Sequence, residues 1–305
     1  ELFFPERRQF FLENGDLFSN FGYKTIRPFF SRRIGLGVPI QAGVRLSGNI
    51  DENWRIGLMD IQTRSDEILN TAAENFGVVC LQRKVFDRSN VSLIFINKQA
   101  VKLNENQINQ SQYNRNIGLE YNYFSADNLW NSKLMFLKSL SLIKKKQGEV
   151  FASHIEYQST GWKWKLQQEY ITGNYSAEVG FIPRNNYIKI QATVGHLTYT
   201  KKNTSLLSHG PSIERTYYFD TDFNKKDQTE QFDYLFNFKN RSRFSIGIRR
   251  QYIELLSDFD PLRTNISSLF AGSTHQWNSY KIKYNSKPQN RFTYSTELLT
   301  GGYYE

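Results

Sequence analysis

Gln231-Phe232-Asp233-Tyr234-Leu235-Phe236-Asn237-Phe238-Lys239 places a large apolar side chain at every second position. Successive side chains of a strand point to opposite faces, so Phe232, Tyr234, Phe236 and Phe238 share one face and Gln231, Asp233, Asn237 and Lys239 the other. No helical pattern nearby offers a cover for four aromatic rings. Lipid is the simplest solvent that accepts such a face while leaving the other one wet. The stretch therefore predicts one strand of a transmembrane β-barrel.

The same dyad repeat recurs along the chain. Ile117, Leu119, Tyr121 and Tyr123 alternate with Asn116, Gly118, Glu120 and Asn122; Trp162, Trp164, Leu166 and Tyr170 share a parity opposed to that of Lys163, Lys165, Gln167 and Glu169. Phe151, Ile155 and Tyr157 oppose Ala152, His154, Glu156 and Gln158, and Phe244, Ile246 and Ile248 oppose Ser245, Gly247 and Arg249. Ala42, Val44 and Leu46 oppose Arg45, and Tyr280, Ile282 and Tyr284 oppose Lys281 and Lys283. Period two fits better than 3.6 throughout. Two places break the parity: Trp54, Ile56 and Leu58 share it with Asp60, and Ile94 and Ile96 fall on the wet side. Bulges or inward apolar packing are expected there.

Aromatic residues make up 15% of the chain and mean hydropathy is -0.58. Half of each spanning strand is polar, so a negative mean is compatible with a barrel. No run approaches the ~18 apolar residues of a spanning helix, which excludes helical membrane topology. The lone Cys80 offers no intramolecular disulfide and no cysteine metal site. No Pro-rich, Gly/Ser-rich or single-charge linker divides the 305 residues, so one continuous sheet is expected.

Residues 1–39 differ from the rest, with Pro5, Pro28 and Pro39, two Arg pairs and three Phe pairs but no alternation. This segment is read as a plug-like lead-in, a short strand or turn inside the barrel or at its rim, because proline cannot donate to an internal ladder. Residues 40–305 are read as the barrel, an all-β antiparallel up-and-down sheet of about fifteen strands. Residues 49–53, 125–128 and 239–242 have the Asn, Asp and Ser content of tight turns. The stretches 99–115, 201–212 and 254–274 read as longer loops on the opposite side. The chain opens at Glu1 inside folded-looking sequence and stops at Tyr304-Glu305 just after a strand candidate. A longer precursor with an export signal, and closing strands after residue 305, are therefore expected.

Three segments resemble a known family. Pro5-Glu6-Arg7-Arg8-Gln9-Phe10-Phe11-Leu12-Glu13-Asn14-Gly15 and Phe29-Phe30-Ser31-Arg32-Arg33-Ile34-Gly35 are similar to the opening motifs of the barrel region of the domain-of-unknown-function family 5916. Val179-Gly180-Phe181-Ile182-Pro183-Arg184-Asn185-Asn186-Tyr187 resembles a third motif of that family. Gln9, where the family often has proline, and Ile182-Pro183, where a basic residue is frequent, depart from the pattern. The resemblance implies a Gram-negative outer-membrane barrel, often preceded by a family-9-type carbohydrate-binding module, and it implies no catalytic residue.

The net charge of +10 raises the possibility of a basic lumen. Arg45, Lys163, Lys165, Lys239, Arg249 and Lys281 fall on wet faces by parity, where rings of cations favour anions. Glu120, Glu156, Glu169 and Asp233 share those faces, so a mixed, internally ion-paired lumen is the alternative. Lys144-Lys145-Lys146, Lys201-Lys202 and Lys225-Lys226 suit solvated loops or lipid headgroups. Nucleic-acid binding is excluded because the aromatics alternate onto the lipid face.

The four histidines lack metal-ligand spacing, and no cofactor or metal is expected. Ser139, His154 and Glu156 could assemble a hydrolytic set only through geometry that sequence does not reveal. Tyr121, Tyr123, Trp162, Trp164 and Tyr170, with Phe232, Tyr234, Phe236 and Phe238, are assigned to the lipid face or its aromatic girdles. Trp277 and Tyr187 are the candidates for sugar contact. The expected protein is a non-enzymatic barrel of the bacterial outer membrane that contacts its lipid and binds or passes a solute, with a glycan as the class that the resembled family's module suggests. A structural barrel with a plugged lumen that recruits an envelope protein partner is the second reading, and a barrel-embedded hydrolase the third.

Overall fold

The computed structural model describes residues 6–66, 68, 70–102, 112–141, 147–201, 204–261 and 268–304. Fifteen strands follow one another: β1 (Ile40–Asn49), β2 (Trp54–Thr63), β3 (Ala73–Val85), β4 (Ser89–Lys102), β5 (Tyr113–Phe124), β6 (Trp130–Ser141), β7 (Gly148–Gln158) and β8 (Trp162–Ile171), then β9 (Tyr187–His196), β10 (Thr198–Tyr199), β11 (Leu206–Phe219), β12 (Lys225–Phe238), β13 (Arg243–Glu254), β14 (Thr274–Asn285) and β15 (Ser295–Gly301). They form one antiparallel up-and-down sheet in chain order, in which β9 reaches β11 directly and the two-residue β10 pairs only with β11. No pairing joins β1 to β15 among the described residues. The connectivity is all-β, antiparallel and up-and-down, and hydrogen bonds among the described residues do not close it.

Up-and-down order sends alternate connections to opposite ends of the sheet. The tight turns at 50–53, 86–88, 125–129, 159–161 and 239–242 all fall at one end. The connections between β2 and β3, β8 and β9, and β13 and β14 fall at the other, and are longer. The expected loop at 201–212 is largely strand, since β11 begins at Leu206. The β9 ladder on β11 stops at Ser212 and the β10 ladder resumes at His209. Pro211 falls in that gap, where β11 has no regular partner on that side and a missing N–H is tolerated. Likewise β4 runs to Lys102 and β5 starts at Tyr113, so the expected 99–115 loop shrinks from both sides, and its 103–111 part lies outside the described residues. Lys144–Lys146 and Lys202 lie outside them as well.

The chain groups into two compact units, one of residues 1–126, 132–153 and 170–187, the other of 127–131, 154–169 and 188–305. In the first, the register aligns Leu46, Leu58, Val79, Phe95 and Ile117 in one row across β1 to β5. Two residues towards the long connections the matching row is Val44, Asp60, Gly77, Asn97 and Arg115. No bulge occurs at Trp54–Asp60, contrary to expectation. Asp60 faces the same side as Ile56 and Leu58 because that side turns polar there, and Asn75 donates to it at 3.1 Å.

The opposite face of this unit is covered, with a large apolar patch beside the buried Asn114, Asn116 and Glu120. Met59, Ile61, Phe76, Val78, Ile94, Ile96, Met135 and Leu137 line it, all buried. Ile94 and Ile96 therefore pack inward, one of the two outcomes expected where parity broke, and the wet face expected here is dry. The cover is the N-terminal segment, expected to be a short strand or turn and built of helical turns: α1 (Gln9–Leu12), α2 (Asp16–Ser19) and a 3-10 turn at Ser31–Arg33. Four-residue helices have no stability alone. They persist here because Phe11, Leu17, Phe18, Phe21, Ile26, Phe29 and Ile34 bury their side chains, each worth roughly 1.5–3 kcal/mol. Gly57 lets α2 approach, since a Cβ there would lie 2.5 Å from the Phe18 ring. Gly22 turns the chain at φ 98°, a left-handed conformation closed to most residues.

In the second unit Val194, Ile213, Phe232, Ile248 and Tyr280 form one row across β9 and β11 to β14, with exposures of 48, 45, 43, 49 and 53%. Rows at Tyr234, Ile246, Ile282 and Leu298, and at Phe236, Phe244 and Tyr284, continue it towards the tight turns. On the other side the next row is Arg215, Glu230, Arg250 and Asn278, with Arg215 and Glu230 3.4 Å apart. The apolar span from Phe232 to Phe238 is roughly 20 Å along the strand at about 3.4 Å per residue.

Candidate functional site

The charged residues assigned to wet faces lie opposite the apolar rows, and most are in ion pairs. Glu120 pairs with Lys133 at 3.1 Å, Glu156 with Lys163 at 3.1 Å, Glu169 with Lys189 at 3.0 Å and Asp233 with Lys281 at 2.8 Å. Arg249 donates to Gln231 at 3.1 Å, and Lys165 is half-buried without an ion pair among the described residues. Glu120 and Glu169 are 3% and 1% exposed. These pairs neutralise much of the charge at the positions involved. Arg45 spends its charge on the cover, donating to the Phe10 carbonyl and stacking 5.0 Å over the Phe18 ring. Lys239 is a correction: β12 ends at Phe238, and Lys239 is exposed in the following turn.

The aromatic assignments divide by depth. Trp162 and Tyr170 are exposed, and Trp162 lies 4.4 Å from the His196 ring. Trp164 stacks on Tyr157 at 5.6 Å and meets Trp130 edge-on at 4.8 Å. Tyr123 and Phe232 are exposed, whereas Tyr121, Tyr234, Phe236 and Phe238 are half-buried by their neighbours. Tyr234 also bonds His209 Nδ1 through its hydroxyl at 2.7 Å. The sugar candidates are both buried: Arg184 lies 5.9 Å over Tyr187, and Trp277 stacks on Tyr304 at 4.8 Å beside a cavity of about 660 Å³.

Each of the three residues named for a hydrolytic set has a partner outside that set. His154 bonds Asn131 at 3.1 Å, Glu156 pairs with Lys163, and the buried Ser139 hydroxyl takes the Ser176 N–H at 3.1 Å. Among the described residues no group of three or more His, Cys, Asp or Glu side chains is placed to hold a metal.

A site that the sequence did not mark lies in the first unit, where three distant segments join. Arg27 and Phe181 exchange backbone hydrogen bonds at 3.1 and 2.8 Å, and the Phe30 N–H donates to the Val179 carbonyl at 2.7 Å. Arg33 donates to the Gly180 carbonyl at 3.1 Å. Arg8 reaches the Ser31 and Ile34 carbonyls at 2.8 Å each, and its partner Glu6 accepts the Ser31 hydroxyl at 2.7 Å. The three segments that carry the family resemblance are thus bonded to one another. Asn114 and Asn116, both buried, grip the Ser176 carbonyl at 3.1 and 3.2 Å and fix the connection that carries Phe181.

The junction encloses a cavity of about 650 Å³, within the ~300–1,000 Å³ range of small-molecule sites. Phe11, Phe18, Phe29, Phe30 and Phe181 form its walls, and Lys24, Arg27, Arg32, Glu6 and Asp16 contribute charge. Burial alone would raise the Glu6 carboxyl, but hydrogen bonds from Arg8 and Ser31 and the Arg8 charge outweigh it and hold the pKa at about 2. Asp16 is also held below its ordinary value, first by the hydrogen bond from Arg55 at 2.8 Å. The phenylalanine pairs were the available signal, but nothing local to them showed that Phe181 would join them.

No protein-family model matches the chain, and neither the curated proteins nor the solved structures contain a match to it.

Proposed function

We propose that this chain is the barrel region of a bacterial outer-membrane protein that binds a solute on its covered face, without enzymatic activity of its own. The observation that carries the reading is the exposed row Val194, Ile213, Phe232, Ile248 and Tyr280, which continues in further apolar rows. Five neighbouring strands presenting apolar side chains together would cost a protein in water heavily, and monomers in water rarely expose such a patch. The roughly 20 Å span is of the same order as the ~25 Å apolar band of outer-membrane barrels. The polar row at Arg215, Glu230 and Arg250 suits a headgroup or external level. The resemblance to family 5916 belongs to the same proposal, supported by three motifs that meet in one junction.

Binding is favoured over open passage because the first unit's inner space is occupied by residues 6–38. Membrane fractionation together with planar-bilayer recording tests this. The protein is expected in the outer membrane with little steady conductance. Recovery in the soluble fraction would remove the location, and a large constant conductance would remove the binding reading. The same occupancy favours a second reading, a structural barrel that recruits an envelope protein, which a stoichiometric partner in pull-downs from native membranes would identify.

A further inference from the structure

The cavity of the first unit has a lining that selects among ligands. Its walls are phenylalanine rings, which offer an apolar body contact area and little hydrogen bonding. Its acids are already satisfied, Glu6 by Arg8 at 2.7 Å and Asp16 by Arg55 at 2.8 Å. Neither of those arginines lines the cavity. Lys24, Arg27 and Arg32 do line it; Arg32 has a partner of its own, and neither Lys24 nor Arg27 has an ion pair among the described residues. Lys24 is exposed and Arg27 half-buried, so the cationic side of the cavity is the side reached by water. An apolar chamber with two uncompensated cations at its wet side fits an amphiphile bearing one negative head. It does not fit a sugar, whose hydroxyls would find few free partners among phenylalanines.

We propose that this cavity binds a long-chain carboxylate, with the hydrocarbon among Phe18, Phe29, Phe30 and Phe181 and the head against Lys24 and Arg27. The assignment rests on the solute-binding reading above and names its ligand class. Residues 6–38 then act as a wall of the site as well as a cover, because every phenylalanine except Phe181 comes from them.

The test uses the protein in nanodiscs of neutral lipid, with radiolabelled palmitate as the probe. Saturable palmitate binding is expected, with no competition from methyl palmitate or from an alkyltrimethylammonium of equal chain length. The Lys24→Gln/Arg27→Gln variant should bind roughly tenfold more weakly, equivalent to about 1.4 kcal/mol. Lys24→Gln alone, at an exposed position, should show part of that loss and guards against misfolding of the double variant. Absence of saturable binding, equal competition by the ester or the cation, or unchanged affinity in both variants would overturn the assignment. Insertion and conductance are measured on the same preparation. An inserted, non-conducting protein that ignores palmitate loses only its ligand class, whereas failure to insert removes the reading beneath it.

Discussion

Glu120 and Lys133, on the neighbouring strands β5 and β6, form a 3.1 Å ion pair, and both also bind the backbone of Gly22. Glu120 accepts the Gly22 N–H at 2.7 Å, and Lys133 donates to the Gly22 carbonyl at 2.9 Å. The pair therefore fastens the N-terminal segment to the sheet through its sharpest turn. Removing the carboxylate leaves a lysine that is 16% exposed without its counter-charge. Glu120→Ala should cost on the order of 3 kcal/mol, the lower part of the range for breaking a buried pair. Urea midpoints read by heat-modifiable gel mobility check this. Glu120→Leu/Lys133→Met should recover much of the loss, and a double variant as weak as the single one would contradict the argument.

Gly57 supports a second expectation about the same segment. A Cβ there meets the Phe18 ring at 2.5 Å and Leu17 at 2.9 Å, and both side chains are buried. Gly57→Leu should displace α2 at a cost of roughly 1–3 kcal/mol while the ladder on both sides of β2 persists. Limited proteolysis should then cut within residues 6–38 at rates well above those of the parent protein. Equal protection of the two would mean that α2 does not lie against β2.

How far the fold was legible follows from these residues. The alternation at Gln231–Lys239 depends only on the strand's own period, so the sheet, its antiparallel order and most turns could be read directly. Register is a relation between strands, so the sequence did not show that Phe232, Ile248 and Tyr280 form one row bordered by a charged one. The dry face of the first unit was equally hidden. Ile94 and Ile96 broke parity, and that was the one local trace of a cover supplied from about 75 residues earlier in the chain. The stretch 201–212 reads as a loop from its polar residues, whereas β11 begins at Leu206. The cavity was least legible of all, since Phe30 and Phe181 meet only after folding, at 6.2 Å between ring centres.

The apolar rows distinguish lipid from water in a single substitution. Ile246 is 43% exposed in the row between those of Phe232 and Phe236. In a protein surrounded by water, Ile246→Arg at such a position would change stability by no more than about 0.5 kcal/mol. Facing the bilayer midplane it should cost roughly 2–4 kcal/mol. Folding yields into lipid vesicles across a urea series would measure the difference. Arg250→Lys, two rows away beside Glu230, is the control and should be nearly neutral.

Glu6 makes the docking of the N-terminal segment sensitive to acid. Its carboxyl has an ordinary value of 4.5 and is held at about 2 in the folded chain by Arg8 and Ser31, against the opposing effect of burial. A folded value below the unfolded one means that the ionised form is the one that binds better. Its stabilising contribution is therefore complete above about 4.5 and is lost as pH falls from there towards 2. The Arg8 link from Glu6 to the Ser31 and Ile34 carbonyls should loosen over that window. Pepsin cleavage within residues 6–38 should accelerate as pH is lowered from 4.5 towards 2, after correction for the enzyme's own pH dependence on an unfolded substrate. Glu6→Gln cannot ionise, so its cleavage should already be faster at pH 4.5 and should change little below it. A parent protein whose cleavage stays flat across the window would show that Glu6 does not hold the segment in place.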